Sequence, residues 1–115
     1  MTATRLRIVV LAGVLGLALT GAGLRAAGTA APPTHTVVID ATSFAPKYLT
    51  VHPGETVVWV NKDILAHTAT SKRTGVFDSK EIAPGKSWTF TPTKSGQFDY
   101  RCTLHATMKG TLVVR

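Results

Sequence analysis

The sequence predicts an all-β fold, an antiparallel β-sandwich, behind an N-terminal segment of different character. After Pro33 the apolar residues fall into short runs rich in Val, Thr, Trp, Phe and Tyr, which are residue types that favour strands. Turn sequences with Pro and Gly separate these runs, and no run carries the sustained 3.6-residue repeat of a helix. Several short strands with such turns at close spacing are typical of a sandwich or a barrel.

The N-terminal segment has the order of a secretory signal peptide. Arg5 and Arg7 precede an apolar run over residues 8–19, and a region of Gly, Ala and Thr follows. The apolar run is shorter than the roughly 20 residues that a membrane-spanning helix needs, so a retained anchor is the less favoured alternative. We therefore expect residues 1–30 to be a signal peptide cleaved after Ala30. The protein is then periplasmic or otherwise exported, with no membrane insertion after cleavage.

Residues 31–115 form one small predicted domain whose charge limits its partners. The full chain has 13 basic and 6 acidic residues. Three arginines leave with the signal peptide, so 10 basic against 6 acidic residues give the domain a net charge of about +4. This charge favours an acidic protein or an anionic lipid headgroup as a partner, or simply keeps the protein soluble. The lysines are scattered and no nucleic-acid-binding motif accompanies them, so nucleic acid is not an expected partner.

The runs between the turns predict seven strands, at residues 34–40, 48–51, 55–61, 67–71, 87–91, 96–102 and 111–115. The turns that divide them include the sequences HPGE, APGK and TPTKSG. Trp59 and Trp88 lie in strands and are predicted to pack in the core or on a sheet face. His35 and His52 are predicted to be surface or turn residues.

Cys102, the one cysteine of the chain, requires an explanation in an exported protein. It cannot form the internal disulfide that small exported domains usually carry, and a lone thiol is prone to oxidation unless it is buried, paired with another chain or bound to a metal. Because strand side chains alternate between faces, Cys102 shares the apolar face of its strand with Tyr100. The next strand is close, so residues 103–110 form a tight loop that can turn His105 and Met108 toward the sulfur.

These side chains form a recognisable ligand set. A thiolate, an imidazole and a thioether suit copper that cycles between two oxidation states, with a second imidazole from elsewhere in the chain. His67, where a strand begins after a loop, is the best candidate for that imidazole. Each residue also has an ordinary alternative role: Cys102 as an inert buried thiol, Met108 as a core filler and His67 as a strand-end histidine. Their joint occurrence at this spacing favours the metal site.

At these residues the chain resembles the cupredoxins, the small blue copper proteins, and most of all their amicyanin and plastocyanin branch. The segment FAPKYLTVHPGETVVWVNKDILAHTATS resembles the half with the first ligand, and GQFDYRCTLHATMKGTLVV resembles the ligand loop. The resemblance implies a Greek-key β-sandwich and one copper ion, held by His67, Cys102, His105 and Met108. It also implies a monomer that is not an enzyme, and that carries single electrons between redox proteins. With a basic surface, an acidic partner of the cytochrome or dehydrogenase type is expected.

Two features separate the chain from the amicyanin pattern. Ala66, Leu104 and Ala106 stand where prolines often flank the ligand histidines, and Thr68 stands where Asn often follows the first histidine. The Thr68 hydroxyl can supply a similar hydrogen bond beside the ligands.

Two other classes of function remain as alternatives. A periplasmic copper carrier or scavenger could use the same four ligands, although carriers favour exposed Met or His clusters. A copper enzyme would need further metal centres, and the chain lacks the second cysteine of a binuclear electron-transfer site. A hydrolase is disfavoured because the nucleophile motif G-x-S-x-G is missing.

Overall fold

The computed structural model describes residues 31–115 together with Gly16. The predicted signal peptide over residues 1–30 therefore lies outside the described residues, apart from that one glycine, and its cleavage stays a prediction. None of the described residues belongs to a helix that could span a membrane.

Eight strands and no helix make up residues 31–115. In chain order the strands are β1 (Thr34–Asp40), β2 (Ser43–Ala45), β3 (Tyr48–Val51), β4 (Thr56–Asn61), β5 (Thr70–Ser71), β6 (Ser87–Phe90), β7 (Gly96–Arg101) and β8 (Lys109–Val114). They form two four-stranded sheets, one in the order β2-β1-β4-β6 and the other in the order β3-β8-β7-β5. The predicted all-β sandwich is confirmed.

The sheets are mixed, whereas the sequence was expected to give antiparallel pairing throughout. β1 pairs with β4 in parallel and β3 pairs with β8 in parallel, while the other four pairs are antiparallel. The strands themselves agree closely with prediction, and β1 and β3 have the predicted bounds. The three-residue β2 was missed. The strand predicted at 67–71 is reduced to β5, because His67 leaves the ladder and pairs only with Ile82 in an isolated bridge.

The core lies between the two sheets and is built from inward-facing side chains. In β4 buried and half-buried residues alternate, and this places Trp59, which is fully buried, at the centre of the core. The Trp59 ring meets Tyr100 of the opposite sheet edge-on, with ring centroids 5.6 Å apart and planes at 89°. Trp88 is half-buried beside Trp59, at 5.5 Å between centroids. The predicted packing role of both tryptophans is confirmed.

The turn before β4 contains His52, and its last residue, Glu55, contacts His35. The backbone N–H of Glu55 donates to the carbonyl of His52 at 3.1 Å, and Gly54 takes φ +89°, as position three of a type II turn requires. His52 is exposed in this turn, as predicted. His35 is half-buried instead of a free surface residue, because its Nε2 lies 3.2 Å from the buried Glu55 carboxylate.

Candidate metal centre

Strand β7 delivers Cys102 to the interior. Phe98 and Tyr100 face the core, and the residues that alternate with them face solvent. Cys102, directly after the strand, therefore continues on the buried face and has no exposed surface. The chain then turns back on itself. The N–H of Cys102 donates to the carbonyl of Met108 at 3.1 Å, and the N–H of Met108 donates to the carbonyl of His105 at 3.0 Å. These two bonds close the predicted tight loop.

The loop and the segment after β4 bring three donor atoms together. The Cys102 sulfur lies 3.8 Å from His67 Nδ1 and 3.6 Å from His105 Nδ1, and all three ligand atoms lie within 4.8 Å of one another. The two imidazole rings are 4.7 Å apart between centroids. Met108, at 1% exposure, is buried at the end of the same loop. A small ion can therefore contact the sulfur and both Nδ1 atoms at once.

His67 is held by backbone and side-chain bonds. Its backbone exchanges two hydrogen bonds with Ile82, of 3.2 and 2.7 Å, which fixes the segment against the loop before β6. Its Nε2 lies 2.9 Å from the Asp63 carboxylate. That hydrogen bond is the main reason that the pKa of Asp63 is lowered; the N–H of Thr42 lowers it further and burial opposes the shift. Asp63 is therefore ionised at neutral pH.

Thr68 joins the two ligand-bearing segments. Its backbone N–H points at the Cys102 sulfur at 3.3 Å. Its hydroxyl accepts the backbone N–H of Thr103 at 2.9 Å and the hydroxyl of Thr70 at 3.0 Å. The hydrogen bond beside the ligands that was predicted for this hydroxyl is therefore present, although a shorter side chain than asparagine provides it.

Exposed apolar side chains lie in both of the segments that carry the candidate ligands. His105 is half-buried, and three large side chains in the two ligand segments are exposed: Ile64 at 87%, Leu65 at 46% and Leu104 at 49%. We call these three side chains the apolar patch. Lys62 and Lys109 are exposed near the same segments.

The two basic residues that directly follow β5, Lys72 and Arg73, contact β7. Lys72 donates its backbone N–H to Asp99, and the Arg73 guanidinium lies over the Phe98 ring at 5.6 Å. Both contacts are to the middle of β7, about 10 Å or more along the strand from Cys102 at the usual rise per residue.

Sequence reasoning missed two residues of this site, Asp63 and Thr103. An acidic residue four positions before a candidate ligand histidine was a usable signal for Asp63. Thr103 offers no such signal, because its role depends on the approach of Thr68 from a segment 35 residues away in sequence.

The fold and the donor set define a class of protein, and sequence comparison agrees. The family model of the cupredoxin-like domain matches residues 8–114 of the sequence, and the chain belongs to this family. It is similar to amicyanin from Paracoccus versutus, with 33% identity over 76 residues, which are 59% of this chain and 58% of that protein. The chain thus spans less than two thirds of the length of this curated relative.

Solved structures support the same class. A reduced Cu(I) form of an amicyanin variant superposes with a TM-score of 0.67 at 28% identity, over 77% of this chain and 89% of that one. A purple cupredoxin from Nitrosopumilus maritimus, at 22% identity and a TM-score of 0.66, shares the fold over 70% of this chain and 99% of its own. A copper-containing nitrite reductase from Thermus scotoductus matches with a TM-score of 0.68 and 30% identity, over 73% of this chain but only 23% of the enzyme.

The residues present fit the copper ion that this family binds. The buried thiol of Cys102, the buried thioether of Met108 and the imidazole nitrogens of His67 and His105 are a donor set that copper favours. The N–H of Thr68 directed at the sulfur suits a thiolate, which accepts such a bond more strongly than a neutral thiol does.

Proposed function

We propose that the protein is a mononuclear type 1 copper protein that carries single electrons between exported redox partners. The observation that carries the proposal is the convergence of Cys102 Sγ with the Nδ1 atoms of His67 and His105 within 4.8 Å. Of these residues, Cys102 and His67 have no exposed surface. In this proposal Met108 is the fourth, weaker ligand. Bound copper supplies the chemistry by accepting one electron and returning it.

The protein contributes a site that resists rearrangement. Both Cys102 and His67 are fully buried. Met108 and His105 are tied by backbone bonds within the loop, and His67 is tied to Ile82. Because the same donors serve both oxidation states, a site held in this way needs little movement between them. Little movement favours fast electron exchange.

The apolar patch is the proposed docking surface. Its side chains lie in the segments that carry His67 and His105, and Leu104 directly precedes the half-buried His105, so a partner that covers the patch would come close to a ligand imidazole. The exposed Lys62 and Lys109 near the patch favour an acidic redox protein and would steer its approach. We propose a monomer in which electron entry or exit takes place at this end.

Burial of the ligands favours an electron carrier over a copper carrier. A protein that hands over its ion needs ligands that an acceptor can reach, and two of the proposed ligands have no exposed surface. The electron carrier is therefore the function that the geometry favours. A copper enzyme is disfavoured because it would need further metal centres. Among residues 31–115, the group found with metal-ligand spacing consists of His67, Cys102 and His105.

The test combines spectroscopy with ion transfer. Copper(II) added to the purified protein should give an intense blue absorption with the electron spin resonance signal of a type 1 site, and reduction should bleach it. Cys102→Ala should bind copper without this absorption, and full retention of the blue colour would refute the proposal. On mixing with a copper chelator and a redox partner, the reduced protein should transfer its electron faster than its ion. The opposite order would support a copper carrier.

A further inference from the structure

Asp63 makes a contact with His67 that no other carboxylate among the described residues makes with a proposed ligand. Its Oδ2 lies 2.9 Å from His67 Nε2, on the side of the ring away from Cys102. His67 is fully buried and the Asp63 side chain is 11% exposed. The contact is therefore largely shielded from water.

The Asp63 carboxylate is itself fixed by backbone donors. Its Oδ1 accepts the N–H of Ile64 at 2.7 Å, and its Oδ2 also accepts the N–H of Thr42 at 3.1 Å. The backbone N–H of Asp63 donates to the Asn61 side chain at 2.9 Å. Asn61 has no exposed surface and donates its amide to the carbonyls of Leu65 and Ile82. Asp63 thus has a defined orientation before any metal binds.

The Thr42 bond extends this arrangement to the turn between β1 and β2. Ala41 and Thr42 have φ values of 46° and 56°, a left-handed conformation that side chains other than glycine adopt at a cost. The side chain of Asp40 accepts the N–H of Ala41, and Asp63 accepts the N–H of Thr42. One carboxylate therefore contacts both a strained turn and a proposed ligand.

The chemistry of this contact selects one form of the imidazole. Both Asp63 oxygens already accept backbone N–H groups, so the carboxylate is an acceptor toward Nε2 as well, and the imidazole hydrogen at this contact lies on Nε2. The lone pair then lies on Nδ1, the atom that faces the Cys102 sulfur. A carboxylate on the far nitrogen also makes a histidine a stronger metal donor.

We propose that Asp63 is the positioning residue of the copper centre, holding His67 in the Nε2–H tautomer with Nδ1 presented to the metal, and adding negative charge that stabilises the oxidised ion. This inference rests on the proposed copper function for its effect on the ion, but the tautomer is a property of the metal-free protein. The residue does not contact the metal. It acts through His67.

The experiment compares two changes at Asp63 with a charge-matched control. Asp63→Ala removes the acceptor, Asp63→Asn keeps a neutral acceptor, and Glu81→Gln removes one charge from an exposed residue next to Ile82. In the purified protein after metal removal, at about pH 8 where a free imidazole is neutral, ¹⁵N NMR reports the tautomer of His67. The wild type, Asp63→Asn and Glu81→Gln should show Nε2–H, and Asp63→Ala should lose this preference.

The copper-loaded proteins provide the second measurement. Copper(II) affinity should fall about 10–100-fold in Asp63→Ala, which is the usual cost of losing a partner behind a ligand. The reduction potential of Asp63→Asn should rise more than that of Glu81→Gln. Retention of the Nε2–H tautomer and of copper affinity in Asp63→Ala would overturn the proposal. If that variant does not fold, an unchanged potential in Asp63→Asn would overturn it. A wild-type protein with the Nε2–H tautomer but no blue centre would refute the copper function and leave the tautomer assignment standing.

Discussion

The Tyr100 ring lies directly over Gly110, its partner across strands β7 and β8. A Cβ atom built on Gly110 would lie 2.3 Å from the ring carbon Cζ and 2.4 Å from the phenol oxygen, far inside van der Waals contact. Burial raises the pKa of Tyr100 to about 12, so the ring remains neutral in this position. Because Cys102 follows β7 and Met108 precedes β8, this contact fixes the two strands from which the ligand loop extends.

The first prediction is that Gly110→Ala destabilises the protein through this overlap. Overpacking of a buried contact costs about 1–3 kcal/mol, and urea unfolding of the metal-free protein would measure it. A double-mutant cycle with Tyr100→Ala supplies the control, because removal of the ring should make the second substitution much cheaper. Equal effects of Gly110→Ala with and without the ring would contradict the overlap.

The second prediction concerns the hydroxyl of Thr68. Thr68→Val keeps the backbone N–H that points at the Cys102 sulfur but leaves the Thr103 N–H without its acceptor. We expect a loss of about 0.5–1.5 kcal/mol in the free energy of unfolding, the usual net value of one hydrogen bond. Thr68→Ser should retain most of the wild-type stability. Equal stabilities of the valine and serine variants would show that the hydroxyl bridge does not stabilise the two segments.

The third prediction is an acid-dependent loss of stability from Glu55. The pKa of Glu55 is lowered from 4.5, chiefly because its carboxylate accepts the backbone N–H of His52, with His35 contributing and burial opposing. A carboxyl group with a lowered pKa in the folded state stabilises the protein above the unfolded-state pKa, and this contribution is lost as the pH falls through the folded value.

Glu55→Gln should therefore flatten the decline in stability below about pH 4.5. Urea unfolding as a function of pH would measure it, on metal-free protein so that acid release of copper does not contribute. Glu81→Gln at an exposed position is the matched control. If both variants keep the wild-type decline, Glu55 is not a source of acid sensitivity.

The fourth prediction tests the apolar patch as a docking surface. Leu65→Lys and Leu104→Lys should slow electron transfer with a redox protein while the copper spectrum stays unchanged, because a charge must then be buried on contact. Lys109→Glu should reduce the rate with an acidic partner, and added salt should weaken this effect. Second-order rates across ionic strength would measure both. Rates that ignore salt and all three substitutions would place docking on another surface.

The sequence by itself determined the strands and the composition of the ligand loop. Alternation along β7 is a local property, since each residue points to the face opposite its neighbour, and it correctly placed Tyr100 and Cys102 on the buried face. The turn at His52–Glu55 was equally predictable from the sequence, because proline and glycine at its two central positions favour the backbone angles that the turn requires. The three-residue spacing from Cys102 to His105 and Met108 is also local, and a tight loop follows from it.

The tertiary structure alone decided which strands pair and what surrounds the ligands. The parallel pairing of β1 with β4, and of β3 with β8, joins segments far apart in sequence, and no local pattern distinguishes it from antiparallel pairing. The same reason applies to Thr103, which meets Thr68 only because two segments 35 residues apart fold together. His67 leaves its predicted strand because its backbone pairs with Ile82 and its ring with Asp63. The pairing with Ile82 depends on packing against the segment before β6, which a strand's own residues do not encode, whereas Asp63 lies only four residues before His67.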